Sequence, residues 1–441
     1  MLILLTPEEA QGSILKRMPL DDMPVSPSVL EGIEALFGEP LSPEEAVKKI
    51  LQEVRSEGDR ALQKWSRILD GYNSQKFRVP QEAIQEALYQ VSDEITEALL
   101  LSRSRIQAFY ENQPLNSWIL QNGDGTLGQL ARPIERVGLY VPGGTAPLPS
   151  TLLMSAVPAQ VAGVNQIVMM VPPERNTGAV APITLATAAL LGIDEVYLLG
   201  GAQAIAAMAY GTESIPPVDK IFGPGNLFVT LAKRRVYGTV GIDGLAGPTE
   251  TMIIADDSAI PEWVAADLLA QAEHDVLASA ILLTPSQDLA EKVRIAVEEQ
   301  LQTLPRAEIL KESLSNRSGI VLTDNLNEAV DLANEYAPEH LCLSIRDAMK
   351  ITERITSAGG IFMGEYSCEV LGDYVAGPSH VMPTGGTARF ASPLNIWDFV
   401  HLISLVGLDR NTASDLSVSA ALIARSEGLE AHARAADLRN T

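Results

Sequence analysis

Apolar positions along the chain change period twice. Between 42 and 110 they recur at helical spacing. The string Ser42-Pro43-Glu44-Glu45 opens this region with a helix start. Ser can accept from backbone amides as N-cap, Pro suits the first helical position, and Glu45 can reach back to the cap. Helical spacing continues over 82–110. From Val137 short apolar runs alternate with helical ones. The pattern predicts strands at 137–141, 165–171, 195–199 and near 220, with helices at 182–191, 202–210 and 226–237. A second alternation begins at Thr251, with strands at 251–255, 279–284 and 319–323 and near 341–345 and 361–363. Its helices fall at 261–274, 286–302 and 326–336. Strands alternating with helices at this spacing imply βαβ units and a parallel sheet, an α/β fold. The first 25 or so residues are an arm rich in Pro and Met. Beyond about 395 the pattern reads as helices with polar joints, ending in an Ala- and Arg-rich stretch at 431–439.

Composition narrows the function classes. The chain has 441 residues, 46% hydrophobic and 20% charged, as in an ordinary globular protein of two or three domains. Its net charge of −24 disfavours nucleic acid and anionic membranes, because it offers no cationic surplus to neutralise phosphates. The apolar start Met1–Leu5 lacks the basic and long apolar segments of a signal peptide, and no run reaches the ~20 apolar residues of a membrane span. Two cysteines, Cys342 and Cys368, are few for so long a chain and read as inert core thiols in a reducing compartment. The expected location is the cytoplasm.

One glycine string misleads. Gly123-Asp124-Gly125-Thr126-Leu127-Gly128 has the spacing of a dinucleotide-binding turn. That turn needs a helix opening behind it, so that amides at the helix N-terminus can cradle a pyrophosphate. Here Pro133 and another strand follow, so the string is read as a plain turn.

Only five histidines occur: His274, His340, His380, His401 and His432. His401 sits in the apolar, helix-like run Phe399-Val400-His401-Leu402 and is expected to pack. Gln271 and His274 are three apart at a helix end, so both can face one centre, where imidazole nitrogen and amide oxygen could ligate a metal. Glu339-His340 lies where a helix gives way to a strand and offers two bases of different pKa. Asp373 and His380 belong to a glycine-bracketed loop, 372–380. Glu427 and His432 lie near the C-terminus. Gly143-Gly144 and Gly223-Pro224-Gly225-Asn226 follow strands, where ligands bind in open α/β sheets, and Asn226 could donate from its amide to a cofactor. Taken singly, each of these reads as a capped helix end, a turn or a surface residue.

Taken in order, they do not. The strings Arg136-Val-Gly-Leu-Tyr-Val-Pro-Gly-Gly144, Gly200-Gly-Ala-Gln-Ala-Ile-Ala206, Phe222-Gly-Pro-Gly-Asn226, Ala246-Gly-Pro-Thr-Glu250, Gln271-Ala-Glu-His-Asp275, Ala337-Pro-Glu-His-Leu341 and the loop 372–380 resemble the histidinol dehydrogenase family. The resemblance covers roughly residues 30–435.

The resemblance implies two incomplete Rossmann-like domains with parallel-rich sheets and terminal extensions that intertwine a homodimer with shared active sites. The implied division is an N-terminal arm 1–28, a first domain of 29–136 and 247–395 carrying substrate and zinc, a second domain 137–246 on the NAD side, and a helical tail 396–441 reaching the partner. One zinc ion per subunit would be held by Gln271, His274, Asp373 and His432, the last serving the other subunit's site. Glu339 and His340 would be the proton acceptors. Thr249, Glu427 and His380 would also touch the substrate, L-histidinol, alongside the metal ligands and His340. NAD would contact Tyr140, Gln203 and Asn226. Thr249 stands where many relatives have Ser, and the middle of Gly377-Pro-Ser-His380 varies among them. The implied reaction is oxidation of an amino alcohol through an aldehyde to an amino acid with two NAD. Relatives of this fold that oxidise other alcohols, such as sulfopropanediol, are an alternative. A zinc hydrolase is disfavoured because four protein ligands leave no open position. A non-catalytic binder would require a lost base, and none is missing.

Overall fold

The computed structural model describes residues 2–17, 25–123, 125–143, 147–174 and 177–440. Asp124 of the glycine string and Gly144 of the strand-following turn lie outside the described residues.

Two parallel sheets organise the chain. The first runs Glu195–Leu198, Gln166–Val171, Arg136–Tyr140, Lys220–Phe222, Gly241–Ile242 from edge to edge. The second runs Gly319–Leu322, Ser279–Thr284, Glu250–Ala255, His340–Ser344, Gly360–Met363, with Ile3–Leu5 added beside Gly319–Leu322. In both, the strand that comes first in its alternation is central, the next two are added on one side and the last two on the other. This is the doubly wound order, and helices supply the crossovers that parallel strands need. Helices covering both faces explain why strands such as Glu250–Ala255 and Ser279–Thr284 are buried along their whole length.

The N-terminal segment is more than an arm. Ile3–Leu5 pairs in parallel with 319–321, and Thr6 and Glu9 form a capping box on the short helix Pro7–Gln11. The cores also show what the N-terminal helices pack on. Val47, Ile50, Leu51, Leu62 and Trp65 share a core with Tyr197, Ile205 and Met208, and Ile106 and Tyr110 share one with Leu152 and Met169. The helices over 43–111 therefore pack on the first sheet, at 136–242, and the helix Asp93–Glu111 also reaches the 374–376 segment through Ser102 and Arg105.

The tail is corrected in part. Val400–Leu408 is a strand, antiparallel to Gly125–Pro133, which in turn pairs with Trp118–Asn122. His401 lies on that strand and is exposed, so it does not pack into a core. A short apolar run has no decisive period, and here a partner strand settles the matter. Of the string 123–128, Gly123 is a turn residue as expected, whereas Gly125–Gly128 belong to the strand Gly125–Pro133, which no helix follows directly. Two helices follow, Arg410–Ser426 and Glu430–Asp437, packed on each other through Ala421, Ala424 and Ala433.

At the carboxyl end of Lys220–Phe222, Gly223 has φ +111, and a Cβ there would stand 2.1 Å from the Tyr140 carbonyl oxygen. Glycine is therefore required. Lys233, buried on the following helix, donates to the Gly223 carbonyl at 2.8 Å and pairs with buried Asp243, which accepts from the Gly223 amide at 2.7 Å. Removing one partner of a buried pair leaves an uncompensated charge. Lys233→Ala should cost about 3–5 kcal/mol of unfolding free energy, measured by urea denaturation, and Lys233→Ala with Asp243→Asn should cost less.

Candidate active site

A cluster of buried polar side chains lies at the amino ends of two neighbouring strands of the second sheet. Parallel register sets His340 opposite Thr251, which places Glu339 beside Thr249 and Glu250. The helix Leu326–Tyr336 ends on Ala337 in the left-handed conformation, φ 50, and this reversal turns Pro338-Glu339 into the strand. Glu339 and His340 are both buried.

Glu250 brackets the pair with its backbone. Its amide donates to Glu339 Oε2 at 3.1 Å, and its carbonyl is 3.3 Å from His340 Nδ1. That contact assigns the Nδ1 proton and leaves Nε2 as the nitrogen with a free lone pair in neutral His340. His340 Nε2 is buried without a hydrogen-bond partner, its approach to Asp373 Oδ1 being 3.6 Å. Thr249 donates to Glu339 Oε2 at 2.7 Å and lies 3.1 Å from Gln271 Oε1. Gln271, buried on the last turn of the helix Pro261–Ala272, donates to Asp373 Oδ2 at 3.4 Å. His274 lies just past that helix on the surface. Asp373 sits on the last turn of the helix Glu369–Tyr374 rather than in a free loop. His380 Nδ1 is 2.9 Å from the Asp373 carbonyl, and its Nε2 is 3.5 Å from Thr151 Oγ1, on a helix that follows the first sheet's central strand. The carboxyl edge of the first sheet thus faces the amino edge of the second.

Burial pushes the Glu339 carboxyl up to about 7, against the pull of His340, Thr249 and the Glu250 amide. Burial alone would lower His340. The carboxylates of Glu339, Glu369 and Asp373 outweigh it and raise the imidazole to about 10. Burial would raise Asp373, but the surrounding imidazoles of His340, His380 and His274 hold it below the usual carboxylate range. Adjacent bases pushed apart in this way are what acid–base chemistry at one centre requires.

The residues also suit a divalent cation in part. Gln271 and Asp373 offer an amide oxygen and a carboxylate side by side, with His274 close enough to perturb Asp373. Amide orientation is assigned from hydrogen bonding, and a turned amide would present its oxygen beside Asp373. Among the described residues, no three of His, Cys, Asp and Glu form a metal cluster within the chain. His432 and Glu427 lie exposed on the tail, with no hydrogen bond to this cluster.

The expected NAD residues lie at the first sheet's carboxyl edge. Tyr140 is buried and its hydroxyl accepts from the Gly201 amide at 3.1 Å. Buried Gln203 donates to Asp70 Oδ2 at 3.0 Å while its Oε1 has no partner. Asn226 is exposed, and its Oδ1 caps the helix Leu227–Val236 by accepting from Phe228 and Val229, which leaves its amide nitrogen for donation.

Two residues of the cluster carry no role in the sequence reading. Glu250 was visible only as the end of Ala246–Glu250, and its contribution comes from backbone atoms that no motif encodes. Glu369 is buried, accepts from Thr251 and, at 3.0 Å, from the Cys342 thiol, and has one unpartnered oxygen. Its available signal was its spacing, four before Asp373 on one helix face. Cys342 is a buried free thiol, as expected, and Cys368 is half-buried and also free.

The histidinol dehydrogenase family model matches residues 40–440. This chain belongs to the histidinol dehydrogenase family. It is 52% identical over 433 residues to histidinol dehydrogenase of Deinococcus radiodurans, covering 98% of each chain. It is 54% identical over 396 residues to that of Thermus thermophilus, covering 90% of this chain and 94% of the other. A crystal structure of histidinol dehydrogenase from Elizabethkingia anophelis superposes with a TM-score of 0.90 at 36% identity, covering 99% of this chain and 98% of that one. The chain is therefore a dehydrogenase of this family, and its α/β fold with parallel-rich sheets is the expected one. Among the described residues no helix is long and apolar enough to cross a membrane.

Thr249 supplies the only side-chain hydroxyl bonded to Glu339 among the described residues. Thr249→Val should lower kcat roughly ten- to a hundred-fold, the cost of a hydrogen bond to a charged group, whereas Thr249→Ser should retain most activity. Steady-state NADH formation by the two variants checks this.

Proposed function

We propose that this protein is an L-histidinol dehydrogenase, oxidising L-histidinol through L-histidinaldehyde to L-histidine with two NAD in the last steps of histidine biosynthesis. The observation that carries the reading is the coincidence of a near full-length family match with the Thr249–Glu339–His340–Asp373 cluster. Zinc would be held by Gln271, His274 and Asp373, with His432 of the partner subunit as fourth ligand, and would supply an anchor that orients the substrate, while NAD would supply the hydride acceptor.

In its neutral form His340, held by Glu250 with Nε2 unpartnered, takes the alcohol proton at Nε2; because the neighbouring carboxylates raise the imidazole, that form gains population as pH rises. Glu339, oriented by Thr249 and the Glu250 amide, activates the water that hydrates the aldehyde. Burial of both bases keeps bulk water from the reacting carbon and retains the aldehyde. Thr249, His380 and, from the tail, Glu427 orient the substrate. Tyr140, Gln203 and Asn226 line the NAD side, Tyr140 ending one and Asn226 following the other of the two strands between which strand order reverses.

A homodimer with shared sites is supported by the tail. Among the described residues, Glu427 and His432 are exposed and make no hydrogen bond to the cluster of their own chain. Trp118, Ile119, Leu120, Leu402, Ile403, Val406, Leu422 and Ile423 are all exposed in the single chain. So many exposed apolar side chains on the strands Trp118–Asn122 and Val400–Leu408 and on the tail helix support burial against a partner. The protein works in the cytoplasm, without nucleic acid or membrane partners, which its net charge of −24 supports.

L-Histidinol should give two NADH per histidine formed, and a chelator should abolish the reaction. One NADH, or none, would overturn the reading. Glu339→Gln should leave the alcohol step and slow the second, so that the aldehyde accumulates. Mixing inactive His274→Ala and His432→Ala chains should restore part of the activity in heterodimers, because one of the two sites then has all its ligands. No recovery in confirmed heterodimers would place each site within one chain.

A further inference from the structure

Arg17, in the N-terminal segment, reaches the same strand ends from the side away from the reacting groups. Its guanidinium pairs with both carboxylate oxygens of Glu250, one contact at 2.9 Å. It also donates to the carbonyls of Tyr336, from Nε at 2.8 Å, and Ala337, at 3.1 Å, and lies 3.5 Å from the centroid of the Tyr336 ring. Glu250 is 3% exposed, and among the described residues its carboxylate accepts, beyond Arg17, only from the Gly385 amide, at 3.2 Å.

We propose that Arg17 is a positioning residue for the oxidation, acting through Glu250 and Ala337 on Glu339 and His340. The inference rests on the reading of Glu339 and His340 as the reacting bases. The backbone of Glu250 holds both: its amide fixes Glu339 and its carbonyl fixes the tautomer of His340. The Glu250 side chain is a buried carboxylate, and a buried charge stays in place only when paired. Without Arg17 it turns toward water or another cation and takes the backbone with it. Arg17 also caps the carbonyls at the end of Leu326–Tyr336, where the chain reverses at left-handed Ala337 two residues before Glu339. One planar fork therefore fixes the start of both active strands, a task that suits Arg and not Lys. Arg17 touches neither base, so its effect is on their geometry.

The experiment compares Arg17→Ala, Arg17→Lys and Arg17→Ala with Glu250→Gln in the dimeric, metal-loaded enzyme, below the melting temperature of each. Misplacement of a catalytic group by about 1 Å costs on the order of 10²-fold, so Arg17→Ala should lower kcat by about that factor with little change in KM for L-histidinol. Adding Glu250→Gln removes the unpaired charge and should recover most of the lost kcat. Arg17→Lys keeps the charge without the fork and should fall between wild type and Arg17→Ala. A role confined to stability predicts lower melting temperatures with wild-type kcat. That result, or Arg17→Lys at wild-type kcat, or no recovery in the double variant, overturns the proposal. If Arg17→Ala does not fold, the Lys and double variants decide it in the same way. Wild-type enzyme that fails to oxidise L-histidinol would instead overturn the functional reading on which the inference rests.

Discussion

The pairing of Glu250–Ala255 with His340–Ser344 is the constraint on which the site depends. Parallel register leaves the amide of Glu250 free to hold Glu339 and its carbonyl free to hold His340. A slip of one residue would turn His340 to the other face of the sheet and separate it from Glu339. The central place of these strands, buried between helices, makes such a slip expensive, because every apolar residue on them would change face as well.

This geometry departs from the usual placement of ligands in doubly wound sheets. The expected nucleotide residues lie at the carboxyl edge of the first sheet, Tyr140 ending one and Asn226 following the other of the two strands between which strand order reverses. The proposed bases do the opposite and sit at the amino edge of the second sheet. The contact between His380 and Thr151 brings those two edges together. Two sheets of the same order are thus brought together carboxyl edge to amino edge.

The amino edge of the second sheet carries carboxylates that water does not reach. Glu250, Glu339 and Glu369 are all buried within a few residues of the same strand ends. Each is managed differently. Arg17 neutralises Glu250, hydrogen bonds from Thr249 and Glu250 support Glu339, and Glu369 rests on Thr251 and Cys342 beside the raised imidazole of His340. The excess of negative charge around one histidine is costly to the fold and is the kind of arrangement found where protons are moved.

Much of the architecture was legible in the sequence, because the strands and helices over 137–363 have strong periods bounded by Gly, Pro and capping residues. The strand at Val400–Leu408 was not, since a short apolar run fits helix or strand equally and its partner, Gly125–Pro133, is remote in sequence. The packing of 43–111 on the first sheet was equally invisible, because amphipathic helices declare a buried face without naming what covers it. At the site, residue types and motif order marked Thr249, Gln271, Glu339, His340 and Asp373, whose chemistry is carried by side chains. Glu250 escaped because its part is played by backbone atoms, and Arg17 because it lies hundreds of residues from the groups it holds. The sequence by itself determined the elements and the chemical inventory, which depend on local periodicity and residue identity. Only the tertiary structure decided which strand ends meet, which acid is neutralised and which nitrogen of His340 stays free, because those follow from register and burial that no local stretch contains.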